Sequence, residues 1–198
     1  MPLEIEIKLP ITDPPALRRR LRGASFHPGP RRREINWLLD DAAGRFRRAG
    51  VLLRLRRSGR QWLLTAKGPP RPSRLKIRPE VEMPLDDGRG LLALLAVLDW
   101  RPRLVYERYR TVWRSAGYPG LAVAWDHTPI GNFLELEGPA AAIHRALRQL
   151  GFPAAAASAP SYPDLFRRWA RRHRHRGREF TFQALRGGRA VSPRAKSA

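Results

Sequence analysis

Glu4-Ile5-Glu6-Ile7-Lys8, the stretch EIEIK, decides the fold. Strict alternation over it predicts a β-strand with Glu4, Glu6 and Lys8 on one face and Ile5, Ile7 and Leu9 on the other, because side chains at i, i+2 and i+4 of a strand point the same way. One such strand is described equally well by a salt-bridged outer face. The rest of the chain removes that ambiguity by repeating the pattern.

In VLLRLRR, Arg54 and Arg56 oppose Leu53 and Leu55. Lys67 is in phase with Thr65 in WLLTAKGP, and LKIRPEVEM alternates Lys76, Arg78, Glu80 and Glu82 against Ile77, Val81 and Met83. Arg108 and Arg110 share a face of VYERYRTVW, Asp126 ends another strand, and Glu135 and Glu137 oppose Leu134 and Leu136 in NFLELEGP. Seven of the 17 acidic residues fall at such positions. Independent solvated faces would mix the two signs within every strand. Here acids concentrate on the first and last strands, and bases on the third, fourth and sixth.

Period-two alternation with turn signals predicts strands over 3–9, 33–40, 51–57, 61–67, 75–84, 104–114, 121–127 and 133–138. Eight strands predict a mainly β (α+β) fold, an eight-stranded antiparallel tunnel barrel with a charged lumen and flanking helices. Helices are predicted from the Asp13 cap and Pro14-Pro15 to about Gly23, over 87–98, over 140–150, and from Tyr162 to about Arg172 after the linker PAAAASAP. Charged faces turned inward leave the apolar faces outside, to be covered by these helices. An acidic wall then binds hard divalent cations through oxygen ligands, and a basic wall clasps phosphate oxygens. An elongated anion with several phosphates fits such a tunnel best.

Composition agrees. The 198 residues suffice for one domain with a sizeable core. No cysteine is present, which excludes disulfides and thiolate-held metals and fits a reducing compartment. No segment reaches the roughly 20 apolar residues of a membrane span, and acids at positions 4 and 6 are unlike a signal peptide, so a cytoplasmic protein without membrane attachment is expected. The net charge of +22 favours polyanionic partners without choosing among them. Residues 1–166 are read as the tunnel domain, and 167–198, with +10, as a basic helix end running into a disordered tail that binds polyanions without specificity. Deleting the residues after Arg172 is then expected to leave activity intact. His173 and His175 lie among arginines that repel a metal cation, and are not counted as ligands.

These residues resemble the CYTH superfamily, the triphosphate tunnel metalloenzymes. EIEIK is similar to its ExExK motif, and the likeness continues through LRLR, LTAKGP, RPEVE, ERYR, the Ile130-Gly131 turn, FLELEGP and SYPDLF, in order over about 165 residues. The resemblance implies a barrel enclosing a hydrophilic tunnel. It implies magnesium or manganese, two ions, on Glu4, Glu6, Glu135 and Glu137, with Glu80, Glu82 and Asp126 as direct or supporting ligands. Lys8, Arg54, Arg56, Lys67, Arg78, Arg108 and Arg110 would bind a small-molecule triphosphate, with Glu135, Glu137 and Lys67 as the catalytic groups. The second strand departs from the family's Tyr-Phe-Asp pattern with Asn36-Trp37-Leu38-Leu39-Asp40, and no tyrosine precedes Tyr106, so no tyrosine from that strand serves a mechanism. Trp37 stacks on a base or thiamine ring, or, the favoured reading, packs on the outer face under a helix.

Three functions follow. A metal-dependent hydrolase directs water at the terminal phosphorus of inorganic triphosphate or an organic triphosphate. A class IV adenylyl cyclase directs the ribose 3′-hydroxyl of ATP at the α-phosphorus. A binder of polyphosphate or RNA does neither, but carboxylates in a basic wall weaken polyanion binding, so both glutamate pairs argue for catalysis. The hydrolase is favoured; oligomeric state is left open.

Overall fold

The computed structural model describes residues 2–153 and 160–186. Ten strands are present among them: β1 (Leu3–Ile11), β2 (His27–Pro28), β3 (Arg32–Asp40), β4 (Leu52–Ser58), β5 (Gln61–Lys67), β6 (Lys76–Leu85), β7 (Arg101–Arg114), β8 (Ala122–Thr128), β9 (Gly131–Glu137) and β10 (Glu179–Phe180). The helices are α1 (Pro14–Gly23), α2 (Arg45–Arg48), α3 (Gly88–Val97), α4 (Ala140–Gln149), α5 (Tyr162–Arg172) and α6 (Phe182–Arg186).

Eight strands close a barrel in the order β7-β3-β4-β5-β6-β1-β9-β8, and β8 returns to β7, every pairing antiparallel. Closure leaves no sheet edge along the long strands. The 14-residue β7 makes it possible: residues 101–110 pair with β3 and 109–113 with β8. The eight predicted strands are β1 and β3 to β9. The two missed ones, β2 and β10, are two residues long, too short to carry a period, and both attach to β7.

Outward-facing Ile7, Val123, Leu134 and Leu136 form one core with Leu17 and Leu21 of α1 and Ile143 and Leu147 of α4. The helix caps are legible: Asp13 accepts from the Ala16 amide at 2.9 Å, and Pro14-Pro15 open α1. Coverage is narrower than expected. Val81 and Met83 on the outer face of β6 are 46% and 49% exposed, with no helix over them. Trp37 faces outward, half-buried, its ring 5.4 Å from that of Trp62, which in turn sits against Gly88 at the start of α3.

A second apolar cluster lies inside one end of the barrel. Leu38, Leu104, Tyr106 and Phe133 from the strands meet Tyr162 and Phe166 of α5 and Phe180 of β10. This corrects the boundary at residue 166. Trp169 stacks on His173 at 4.3 Å, Phe166 on Phe180 at 4.6 Å, and the Phe182 amide donates to Glu107 Oε2 at 3.1 Å. The basic stretch therefore does not run into disorder at residue 173: alternating aromatics anchor it through Arg186, and its arginines point to solvent. Residues 187–198 lie outside the described residues, as does most of the linker, 154–159.

Candidate active site: the barrel tunnel

Antiparallel register puts directly paired residues on one face, so the barrel alone determines which ionic rows meet. Glu4 pairs with Arg78, Glu6 with both Lys76 and Glu137, Lys8 with Glu135, Lys67 with Glu80, and Arg110 with Asp126. Of the 14 residues proposed from the sequence, all but Asp126 line one cavity of about 490 Å³, and Glu4, Glu137 and Arg56 all face it. Asp126 sits behind its wall, fully buried.

The walls are less segregated than the sequence suggested. β1, β6 and β9 carry most of the acids, but Lys8, Lys67 and Lys76 stand among them. Lys67 donates to Glu4 and stands in an ion pair with Glu80 at 3.1 Å; Lys76 donates to Glu6 at 2.6 Å; Lys8 donates to Glu135. Conversely, the arginines of β7 hold carboxylates. Arg108 donates to Glu34 at 2.7 Å and Asp126 at 3.0 Å, and Arg110 reaches Asp126 with two bonds of 2.7 and 2.6 Å and also bonds Glu135. Buried charge demands this local pairing, because an unpaired ion in the low-dielectric lumen costs several kcal/mol.

Titration separates the carboxylates into two groups. Burial works against Glu6, but Lys8, Lys76 and Lys67 hold it at about 2, and burial of Glu34 is likewise overcome by Arg108, Arg110 and Arg56, to about 2. Glu135, buried yet flanked by Lys8, Arg110 and Arg108, is held well below the usual range. Glu4 and Glu137 go the other way: burial raises both, and Glu6 acts on the first and Glu4 on the second to raise them further.

Those two, with Glu80, offer oxygens that lie within 4.8 Å of one another, and Oε2 of Glu4 is buried without a hydrogen-bond partner. Three hard oxygen donors that repel one another and lack a full set of partners fit a divalent cation such as magnesium or manganese. Among the described residues this is one cluster. Of the other proposed ligands, Glu6 is on Lys76, Glu135 on Lys8 and Arg110, Asp126 on Arg108 and Arg110, and Glu82 lies 3.6 Å from Arg54 and 3.8 Å from Arg56.

Arg54 and Arg56 are the loosely held cations. Arg54 makes a 3.3 Å bond to Thr65 and leaves Nε unpartnered; Arg56 has only contacts of 3.8 Å or more, and burial together with Arg54 lowers its guanidinium to about 10. Arg78 is fixed to the backbone oxygens of Gly68 and Lys67 at 3.0 and 3.3 Å. A ligand oxygen therefore finds free donors on β4, and on β7 the Nη2 of Arg108, which is also buried without a hydrogen-bond partner.

Sequence reasoning missed Glu34, Asn36 and Tyr162. Glu34 and Asn36 sit in lumen phase opposite Arg108 and Arg56, a signal readable from their spacing; the Asn36 amide is buried with neither atom partnered. Tyr162 lies on a helix, where no strand phase applies. Its hydroxyl donates to Asp126 at 2.6 Å and Lys8 Nζ stands 3.7 Å over its ring. A larger cavity of about 850 Å³ adjoins the plugged end and shares Lys76 and Arg78 with the tunnel. Among the described residues no helix is long and apolar enough to cross a membrane.

Comparison with known proteins agrees with this architecture. PH1819 of Pyrococcus horikoshii OT3 superposes with a TM-score of 0.72 at 22% identity, covering 84% of this chain and 99% of its own. HpAC1 of Hippeastrum, described as a candidate adenylyl cyclase with a dominant triphosphatase activity, gives 0.65 at 22% over 84% and 96%. A candidate adenylate cyclase of Vibrio parahaemolyticus gives 0.68 at 15% over 83% and 98%. At these identities the likeness is one of fold. No curated protein sequence matches the chain. The CYTH domain profile matches residues 2–150, and with the tunnel's ionic rows in place the chain belongs to the CYTH family.

Proposed function

We propose that the protein is a divalent-metal-dependent hydrolase that cleaves the terminal phosphoanhydride of a triphosphate compound inside the barrel. One observation carries the reading: the oxygens of Glu4, Glu80 and Glu137 cluster in the same cavity as the half-satisfied guanidiniums of Arg54 and Arg56. Anion clamp and cation site in one enclosure are what phosphoryl transfer requires, since its catalysis is mostly positioning and charge stabilisation.

Arg54 and Arg56 bind phosphate oxygens, exchanging long contacts for charge-assisted bonds. Lys8, Arg108 and Arg110, already paired, keep the remaining wall positive and rigid. Glu4, Glu80 and Glu137 would hold the cation, which when bound neutralises phosphate charge and makes water a better nucleophile. Water attacks the terminal phosphorus, the phosphoanhydride P–O bond breaks, and orthophosphate, carrying the proton of the attacking water, separates from the shortened phosphate product. Glu137, which would be a ligand of the cation, does not act as the base. Nor does Glu135, being locked to Lys8 and Arg110. Tyr162 is no base either: burial and Asp126 push its hydroxyl well above the ordinary range. The dominant triphosphatase activity in the description of HpAC1, a protein of the same fold, supports hydrolysis over cyclisation.

The test is to incubate the full chain with inorganic triphosphate, ATP and thiamine triphosphate, with magnesium, manganese or chelator, measuring orthophosphate, pyrophosphate and cyclic AMP. Metal-dependent orthophosphate release is expected. Cyclic AMP with pyrophosphate assigns the cyclase instead, and no turnover on any of the three ends the hydrolase reading.

A further inference from the structure

α3 carries no charged side chain between Arg89 and Asp99, in a chain of which 28% is charged. It is seated on the barrel at its start, where a Cβ on Gly88 would come within 2.3 Å of the Trp62 ring, and Leu91, Leu92 and Leu95 are half-buried. The opposite face is also apolar. Gly90, Ala93, Leu94, Val97 and Leu98 are exposed and recur at i, i+3, i+4, i+7 and i+8, the spacing of a helix-packing stripe. Leu94 is 58%, Val97 86% and Leu98 61% exposed, half of the large apolar side chains left exposed among the described residues. A helix apolar on both faces is built to lie between two bodies, and the barrel is only one of them.

The flanking charges identify the second. Asp87 and Arg89 precede the stripe, and Asp99 and Arg101 follow it, in an order that is antisymmetric about Leu94. We propose that α3 is the seam of a two-fold homodimer, packed antiparallel on α3 of a second copy about Leu94. That arrangement brings the Asp87–Arg89 end of one α3 to the Asp99–Arg101 end of the other, twice over, as an isologous interface requires. Parallel packing would instead oppose like charges. Gly90 and Ala93 let the backbones approach closely. The present partner of Asp99 is Arg101, at 3.4 Å and with both side chains more than half exposed, an ion pair weak enough to exchange. An anionic lipid surface fits less well, since aspartates flank the stripe at both ends.

Light scattering and sedimentation of the full chain across micromolar concentrations are expected to give a dimer. Val97→Arg, at a position already exposed, should raise the dimer dissociation constant about tenfold or more while the circular dichroism is unchanged. Because the chain has no cysteine, Leu94→Cys supplies a sole thiol on the two-fold axis, and mild oxidation should give a covalent dimer, whereas Arg148→Cys on α4 should not. A wild-type monomer overturns the proposal, including one that instead floats with anionic vesicles. So does a dimer that withstands Val97→Arg and fails to cross-link at residue 94.

Discussion

Tyr162 on α5 donates its hydroxyl proton to Oδ2 of Asp126 at 2.6 Å, and the same carboxylate accepts from Arg108 and Arg110. The helix that plugs the barrel thus orients two arginines of the tunnel wall through one fully buried acid. Donors from three residues converge on Asp126, so its role here is to fix the cationic wall, apart from the oxygen cluster of Glu4, Glu80 and Glu137.

Tyr162→Phe should cost about 1–2 kcal/mol in denaturant melts, because the ring stays and one hydrogen bond to a charged group is lost. Asp126→Ala should cost more, about 3–5 kcal/mol, since Arg108 and Arg110 lose their shared counter-ion in a buried setting. Equal effects from the two substitutions would show that Asp126 is not the node of the network.

Glu4→Gln and Glu137→Gln should each weaken manganese binding at least about tenfold by titration calorimetry, with the barrel still folded, because each removes one of three charged donors. Binding should also weaken as pH falls, since burial raises the proton affinity of both groups and protonation competes with metal. Affinity independent of pH across the acid range would contradict the cluster as the metal site.

Glu34 supplies a pH-dependent stability term. Its folded value of about 2 lies below the ordinary 4.5, so its contribution is complete above pH 4.5 and is lost as pH falls toward 2. The gap between wild type and Glu34→Gln should be about 3 kcal/mol near pH 7 and should narrow steadily below pH 4.5. Denaturant melts at pH 7 and pH 3 check this; a constant gap would place the effect in packing.

Removal of the residues after Arg172, which the sequence reading expected to leave activity intact, should destabilise the protein. Phe180 is 2% exposed and completes the plug with Phe166. Phe180→Ala alone should cost about 3–5 kcal/mol, measured by thermal or denaturant melts.

The strands and their phase were legible in EIEIK, LRLR, RPEVE and FLELE because alternation is a local property: a residue's face depends on its neighbours two positions away. Glu34 was missed although it obeys the same rule, because Glu34-Asn36-Leu38 passes from charged to apolar within one face as β3 runs from the tunnel into the plug. Tyr162 was legible only as part of SYPDLF at a helix start, and its reach into the tunnel was not, since no strand phase applies to it. The stretch from His173 to Arg186 was misread because arginines dominate its composition, while Trp169, Phe180 and Phe182 that anchor it are too widely spaced to form a periodic signal.

By itself the sequence placed in-phase charged residues on seven of the eight predicted strands and pointed to one shared interior, since segregated acidic and basic rows can there meet a metal and phosphate. Only the tertiary structure decided which ion meets which. Lys67 reaches Glu4 across 63 positions, and Lys8 reaches Glu135 across 127. Register between distant strands sets those encounters, and with them which carboxylates are held among several bases and which three, Glu4, Glu80 and Glu137, bring their oxygens together.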